Sequence, residues 1–303
     1  MKVINVISRD VDMYIARIET KIGICNVNFR VLGSSSLLNV ILIHQTISND
    51  MYTLSDSNGW WEGVVGYNQV LDLEKYTVFM ISKLDVIRIG ITNFFEIAEI
   101  EDKILSSFGV EKIFLNIGGS FGGAGALSFS TISDKDIVHN IIISFTHQQY
   151  NHQVLYRRII LKIFNNAIDS NYAAKLIQQL NVLFYRSPIA WEELDLSVEI
   201  YLDKLNCKIP SVKSNDYISM INMLLEFEFS KTNIEGLKGK IHLVFSKNDN
   251  MYLKDHIEEF FHILTNMGKL SYLHELVSIK GHDAFLIEQN KLSKILSNII
   301  MEE

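Results

Sequence analysis

The sequence predicts an α/β protein, a mostly parallel, doubly wound sheet carrying an inserted helical lid. Three observations predict it. Short apolar runs rich in β-branched residues recur along the chain, helical periodicity separates them, and the strand signal vanishes over 150–235 before it returns. We therefore expect an α/β core from 1–149 and 236–303, with 150–235 as the helical lid. The length of 303 residues suits one domain of this class with one insertion.

MYIARIET (13–20) and ICNVNFRVL (24–32) alternate apolar and polar side chains, as half-exposed antiparallel strands do. LLNVILI (37–43), YTVFMIS (76–82), KIFLNI (112–117) and VHNIIISF (138–145) are mostly apolar, which suits parallel strands covered on both faces. The segment 91–109 has helical spacing, and Gly109 fits its C-cap. YRRIILKIFNNAI, YAAKLIQQLNVLFY, LSVEIYLDKL and YISMINMLLEFEF are helix-patterned, and strands return at KIHLVFS (240–246) and YLHELVSI (272–279). Helices follow each of these, at 254–267 and 284–300.

Nearly half the residues are apolar, ample for a sizeable core, and the net charge is −7 without a basic stripe. Nucleic acid and anionic membrane are therefore not expected partners. The N-terminal stretch carries Arg9, Asp10 and Asp12 before any long apolar run, and no stretch reaches membrane-spanning length, so a cytoplasmic location is expected. Cys25 and Cys207 have no metal-type spacing. They are read as two buried free thiols, with a single disulfide as the alternative.

The chemistry concentrates in LNIGGSFGGAGAL (115–127), where Gly118-Gly119-Ser120-Phe121-Gly122 has the pattern G-x-S-x-G after a strand and before a run of small residues. Such a turn lifts a serine hydroxyl above the sheet in a strained conformation. Its neighbours two away must be small, and the next N–H, here that of Phe121, points at a developing oxyanion. Asp249 in LVFSKNDNMYL and His282 in VSIKGHDAFL follow late strands. The order Ser, Asp, His is that of the α/β-hydrolase fold, so Ser120, Asp249 and His282 are the expected catalytic triad, with Asp255 as the alternative acid. His147 and His152 in FTHQQYNH lack a metal-ligand pattern and are read as surface or capping residues; no metal is expected. Trp60 and Trp61 are read as packing a loop against the sheet edge, with a direct substrate contact as the alternative, and Glu192 and Glu193 as a solvated helix start. The Met- and Phe-bearing helix from 217 to 229 is read as packing lid to core or mediating dimerisation, with an apolar pocket for an acyl tail as the alternative.

Beyond these residues, the chain resembles the homoserine O-acetyltransferase family. The likeness rests on GWWEGVVGYNQVLDLEKYTVFMIS (59–82), GGSFGGAGAL (118–127), FYRSPIAWEEL (184–194), VEIYLDKLNCKIPSVKSNDYI (198–218) and GHDAFLIE (281–288). It implies acyl transfer from acyl-CoA, with acetyl-CoA as co-substrate and no permanently bound cofactor, to a hydroxyl through an acyl-serine. It further implies an oxyanion hole from the backbone N–H groups of Thr46 and Phe121, in a chain whose small residues after His44 are altered. Tyr185 and Asp283 would sit at the acceptor, and the lid helices would form a homodimer. Where the family keeps an arginine to hold the acceptor carboxylate, this chain has Gln178, which cannot give a bidentate charged fork. Ser211-Val212-Lys213 likewise replaces the family's Arg-Phe-Asp, and a glycine- and proline-rich segment after 76–82 is missing.

The expected partners are therefore an acyl thioester donor, on CoA or a carrier protein, and a small hydroxylated acceptor other than homoserine. Two rivals stand beside this reading. In one, water resolves the same acyl-enzyme, as in an esterase or thioesterase; in the other, a degenerate member serves as a binding or scaffold protein.

Overall fold

The computed structural model describes residues 1–49, 51, 59–194, 197–206 and 214–301. Cys207 and the Ser211-Val212-Lys213 triplet lie outside them; Cys25 is buried and free.

The chain opens with β1 (Lys2–Ser8), β2 (Met13–Thr20), β3 (Gly23–Gly33) and β4 (Val40–His44). The two-residue strands β5 (Val65–Gly66) and β6 (Leu71–Asp72) precede β7 (Thr77–Ile81), α1 (Lys83–Arg88), α2 (Phe94–Ser107), β8 (Lys112–Gly119), α3 (Phe121–Ile132) and β9 (Asp136–Ile143). Then come α4 (Asn151–Asn166), α5 (Ser170–Tyr185), α6 (Pro188–Glu192), α7 (Val198–Asn206), α8 (Ser214–Leu225) and α9 (Lys231–Gly236), with no strand among the described residues between β9 and β10 (Lys240–Phe245). The chain closes through α10 (Lys254–Asn266), β11 (Ser271–Glu275), α11 (Ala284–Ile287) and α12 (Gln289–Met301).

The main sheet has nine strands in the order β1-β2-β3-β7-β4-β8-β9-β10-β11. β1, β2, β3 and β7 pair antiparallel, and every pair from β7 to β11 is parallel. The inner parallel strands β7, β4, β8, β9 and β10 are mostly apolar and buried because both faces are covered, whereas the edge strand β11 is partly exposed. Phe121, Ala124 and Leu127 of α3, with Ile97 and Ile104 of α2 and Phe260 of α10, pack one face. Leu292, Leu296 and Ile299 of α12 pack the other, with Trp61. The fold is the α/β-hydrolase fold, an open sheet wound in both directions from β4. The chain steps from β4 to β7 on one side and then to β8 on the other. Loops after β4 and β8 therefore diverge into a crevice, where such sheets place their sites.

Several boundaries move from the sequence expectation, for local reasons. The helix expected over 91–109 starts at Phe94, because the Asn93 side chain accepts from the N–H groups of Phe95 and Glu96. Gly109 follows its end with φ +79°. The helix over 284–300 is broken at Glu288, which leaves helical geometry at ψ 46°. The strand expected over 272–279 ends at Glu275, and the segment 217–229 is helical only to Leu225. Phe227 and Phe229 beyond it are buried against Phe94, Phe95 and Phe145. Glu192 and Glu193 stand at the end of α6, not at a helix start. Strand β1 and the short α1 lie where the sequence pattern predicts no element.

Candidate active site

Strand β8 ends at Gly119 and α3 begins at Phe121, so Ser120 alone makes the turn. It does so at φ 53°, ψ −119°, a backbone conformation that a non-glycine residue adopts only under constraint. Gly118 and Gly122 make the turn possible. A Cβ on Gly118 would meet Gly122 O at 2.2 Å, and one on Gly122 would meet His44 O at 2.4 Å.

Ser120 Oγ lies 2.9 Å from His282 Nε2, and His282 Nδ1 lies 2.9 Å from Asp249 Oδ2. All three are buried. The carboxylate accepts from Nδ1–H, which leaves Nε2 as the acceptor for the serine hydroxyl. The other oxygen of Asp249 accepts from the N–H groups of Met251 (2.7 Å) and Tyr252 (2.9 Å), which fixes the carboxylate's orientation. Asp255 is instead an exposed residue in the first turn of α10. The histidine sits in a single 3₁₀ turn, Gly281–Asp283. Gly281 has φ +74° and packs so closely that a Cβ would stand 2.5 Å from Tyr185 O.

Rings surround the imidazole, with Tyr185 at 5.1 Å, Tyr252 at 5.5 Å and Phe285 at 6.1 Å. Tyr156 donates to Asn181, and Asn181 Nδ2 donates to the Tyr217 hydroxyl at 3.1 Å. Burial pushes the hydroxyls of Tyr156 and Tyr185 well above the usual range, and those of Tyr217 and Tyr252 upward, so all four stay protonated. Tyr185 keeps part of its surface exposed, yet it is the residue that brings α5 against His282.

The other residues expected at the acceptor are placed as follows. Gln178 is half-buried on α5. Asp283 is ion-paired to Arg186 Nε at 3.3 Å. Burial pushes its carboxyl up, while Arg186 and His282 pull the other way. Thr46 is buried just past β4, its Oγ1 accepting from Asn49 Nδ2 at 2.8 Å. Phe121 opens α3, where the first N–H groups have no partner within the helix.

Some neighbours of the site carried no sequence signal of their own. Helix α4 is bonded to the loop after β10: His152 Nε2 and Gln153 Nε2 reach Met251 O at 3.0 and 2.7 Å, and Arg157 donates to the Tyr252 hydroxyl at 3.0 Å. His152 thus acts as an anchor. His147 is buried against the Phe260 ring and is not a surface residue. Trp61 is wholly buried and donates to Phe285 O at 3.1 Å, tying its loop to the histidine segment; Trp60 stacks on it. Among the described residues no cluster of histidine, cysteine and carboxylate side chains is arranged to hold a metal, and no helix is long and apolar enough to cross a membrane.

The chain matches no family model. The homoserine O-acetyltransferase of Methanococcus vannielii is 23% identical over 325 residues, covering 88% of this chain and 66% of the relative, so the chain spans just under two thirds of that relative's length. The crystal structure of homoserine O-acetyltransferase from Bacillus anthracis is similar with a TM-score of 0.82 at 14% identity, covering 100% of this chain and 99% of that one. An acetylester hydrolase from Corynebacterium glutamicum is similar with a TM-score of 0.77 at 18% identity, covering 94% and 93%. The chain therefore has the α/β-hydrolase fold and is a divergent relative of the homoserine O-acetyltransferases over most of its length.

Proposed function

We propose that this protein is an O-acyltransferase that works through an acyl-serine on Ser120. The observation that carries the reading is the pair of 2.9 Å contacts joining Ser120, His282 and Asp249 at a strained strand-to-helix turn. His282 Nε2 takes the hydroxyl proton as Ser120 Oγ attacks the carbonyl carbon of an acyl thioester. The resulting oxyanion faces the backbone N–H groups of Thr46 and Phe121. Collapse expels the thiol, which leaves with the proton held on His282. An acceptor hydroxyl then gives its proton to His282 and attacks the acyl-serine, and the ester product leaves as Ser120 recovers its proton. Asp249 holds the imidazole in the required tautomer throughout.

The donor is acyl-CoA, acetyl-CoA first among candidates, or a carrier-bound thioester. The acceptor is a small hydroxylated metabolite other than homoserine. Gln178 offers no charge for a carboxylate, and Asp283 is already engaged by Arg186. The helical segment over 150–235 acts as the lid over this acceptor, in a cytoplasmic enzyme. That same engagement of Asp283 favours a second reading, in which water resolves the acyl-enzyme and the protein is an esterase or thioesterase.

The test is intact-mass spectrometry after brief exposure to a panel of acyl-CoAs and to p-nitrophenyl acetate, beside Ser120→Ala. One acyl adduct, absent in the variant, supports the acyl-serine. Slow decay in buffer then favours transfer and rapid decay favours hydrolysis. No adduct with any of these reagents would sink the acyl-serine reading.

A further inference from the structure

Beneath the loop that carries Thr46 lies a set of polar groups that the acyl-transfer steps do not use. Lys83, Glu101 and His44 are each at most 1% exposed, as are Asn116 and Asn140 beside them. Lys83 Nζ is ion-paired to Glu101 and donates to His44 Nδ1 at 2.8 Å. A lysine ammonium can only donate, so Nδ1 is the acceptor and His44 Nε2–H donates to Asn116 Oδ1 at 2.7 Å. Asn116 Nδ2 passes the direction on, to Ala126 O at 2.9 Å and to Asn140 Oδ1 at 2.7 Å. Asn140 in turn donates to Lys238 O at 2.7 Å.

Lys83 grips both walls of the crevice. Its backbone N–H donates to Gln45 Oε1 at 3.1 Å, and Gln45 Nε2 donates to Asn49 O at 3.2 Å, across the turn that holds Thr46. On the other side α3 is pressed against the same groups. A Cβ on Gly125 would meet Lys83 Cε at 2.9 Å and His44 Nδ1 at 3.0 Å, while Gly122 meets His44 O. The strand end that leads to Thr46 and the helix that opens with Phe121 are thus held against one side-chain cluster.

A buried ion pair is a poor source of stability, because removing two charges from water costs about as much as their attraction returns. What it supplies is direction, since a fixed donor sets the tautomer of His44 and with it every bond down the line. We propose that Lys83 and Glu101 are positioning residues that set the spacing of the two oxyanion donors, acting through His44 and the 44–49 turn. The proposal rests on the acyl-serine reading for its catalytic consequence, but its structural claim stands apart from that chemistry.

Two measurements on Lys83→Met, and on Glu101→Gln as the milder variant, test it. The first is hydrogen exchange by mass spectrometry. We expect faster exchange in peptides covering 44–49 and no change in those covering α12. The second is pre-steady-state acylation by p-nitrophenyl acetate, normalised to burst-titrated sites. We expect a fall of roughly 10- to 100-fold in the acylation rate, KM within about twofold, and partial rescue when Lys83→Met is combined with Glu101→Gln, which removes both buried charges. Unchanged exchange at 44–49, or an unchanged rate per titrated site, would overturn the proposal. A parent protein that gives no burst would instead refute the acyl-serine reading, and the exchange data would still decide whether the pair positions the turn.

Discussion

At the scale of single residues, the site is built from positions that accept unfavourable backbone geometry. Ser120 holds φ 53° because β8, α3 and its own N–H bond to Ile143 O (2.9 Å) leave it no alternative. Glycine reaches that region without steric cost. Of the two variants lacking the hydroxyl, Ser120→Gly should therefore be more stable than Ser120→Ala, by on the order of 1 kcal/mol in urea unfolding. The reverse order would show that the turn is not strained. Gly281 is the counterpart beside the histidine. Gly281→Ala puts a Cβ 2.5 Å from Tyr185 O at φ +74°, and should cost about 2 kcal/mol or more while displacing His282. Asp249→Asn is expected to keep the fold and lower kcat by roughly 10⁴-fold, through loss of the Nδ1–H tautomer. A loss under about tenfold, measured on whichever ester first acylates the protein, would point to a different acid.

At the scale of elements, α4 and the loop after β10 behave as one unit. Three side chains of α4 bond to residues 251 and 252, and residue 252 in turn stacks on His282 and donates to Asp249 from its backbone. Arg157 is 2% exposed, and its partners here are the Tyr252 hydroxyl and the Gln149 side chain. Tyr252→Phe should therefore lower stability by about 1–3 kcal/mol, because a buried guanidinium loses an acceptor while the ring remains. Urea midpoints would measure this, and a variant as stable as the parent would show that water replaces the bond at no cost. The second connection runs from α5, where Tyr185 meets the imidazole and Arg186 meets Asp283. The helical segment is joined to the loops that carry Asp249 and His282.

For the molecule as a whole, acid sensitivity follows from two buried histidines whose pKa is lowered, His242 and His44. His139 Nδ1 meets His242 Nε2 and His242 Nδ1 meets His274 Nε2, each at 3.0 Å, across three adjacent strands. Burial first, and then the neighbouring His274, His139 and Lys240, bring His242 down to about 3. Burial and Lys83 lower His44 as well. A histidine whose folded value lies below its unfolded one binds fewer protons in the native state, so its contribution is complete above about pH 6.5 and is lost as pH falls. For His242 the window runs from about pH 6.5 down to about 3. The unfolding free energy should fall there with a slope of up to ~1.4 kcal/mol per pH unit for each such group. His242→Asn should flatten that limb; an unchanged slope would assign the acid sensitivity elsewhere.

The apolar runs of the sequence determined the parallel strands, because a sheet covered on both faces must be apolar on both, and the alternation over 13–32 determined the antiparallel pair beside them. The order Ser120, Asp249, His282 and the glycines around the serine marked the site for an equally local reason: a turn that tight admits only small neighbours. Strand β1 is not legible in the sequence because KVINVIS, at the sheet edge, has no strict alternation of apolar and polar residues. The helix expected over 91–109 starts three residues later because one asparagine cap outweighs three residues of pattern. Arg186 on Asp283, Arg157 on Tyr252, and Lys83 between His44 and Glu101 join residues far apart in sequence, apart from the adjacent links of the chain itself. Their chemistry reads as ordinary surface charge until the fold buries it. Only tertiary structure decides which charges lose their water, and therefore which must find one another.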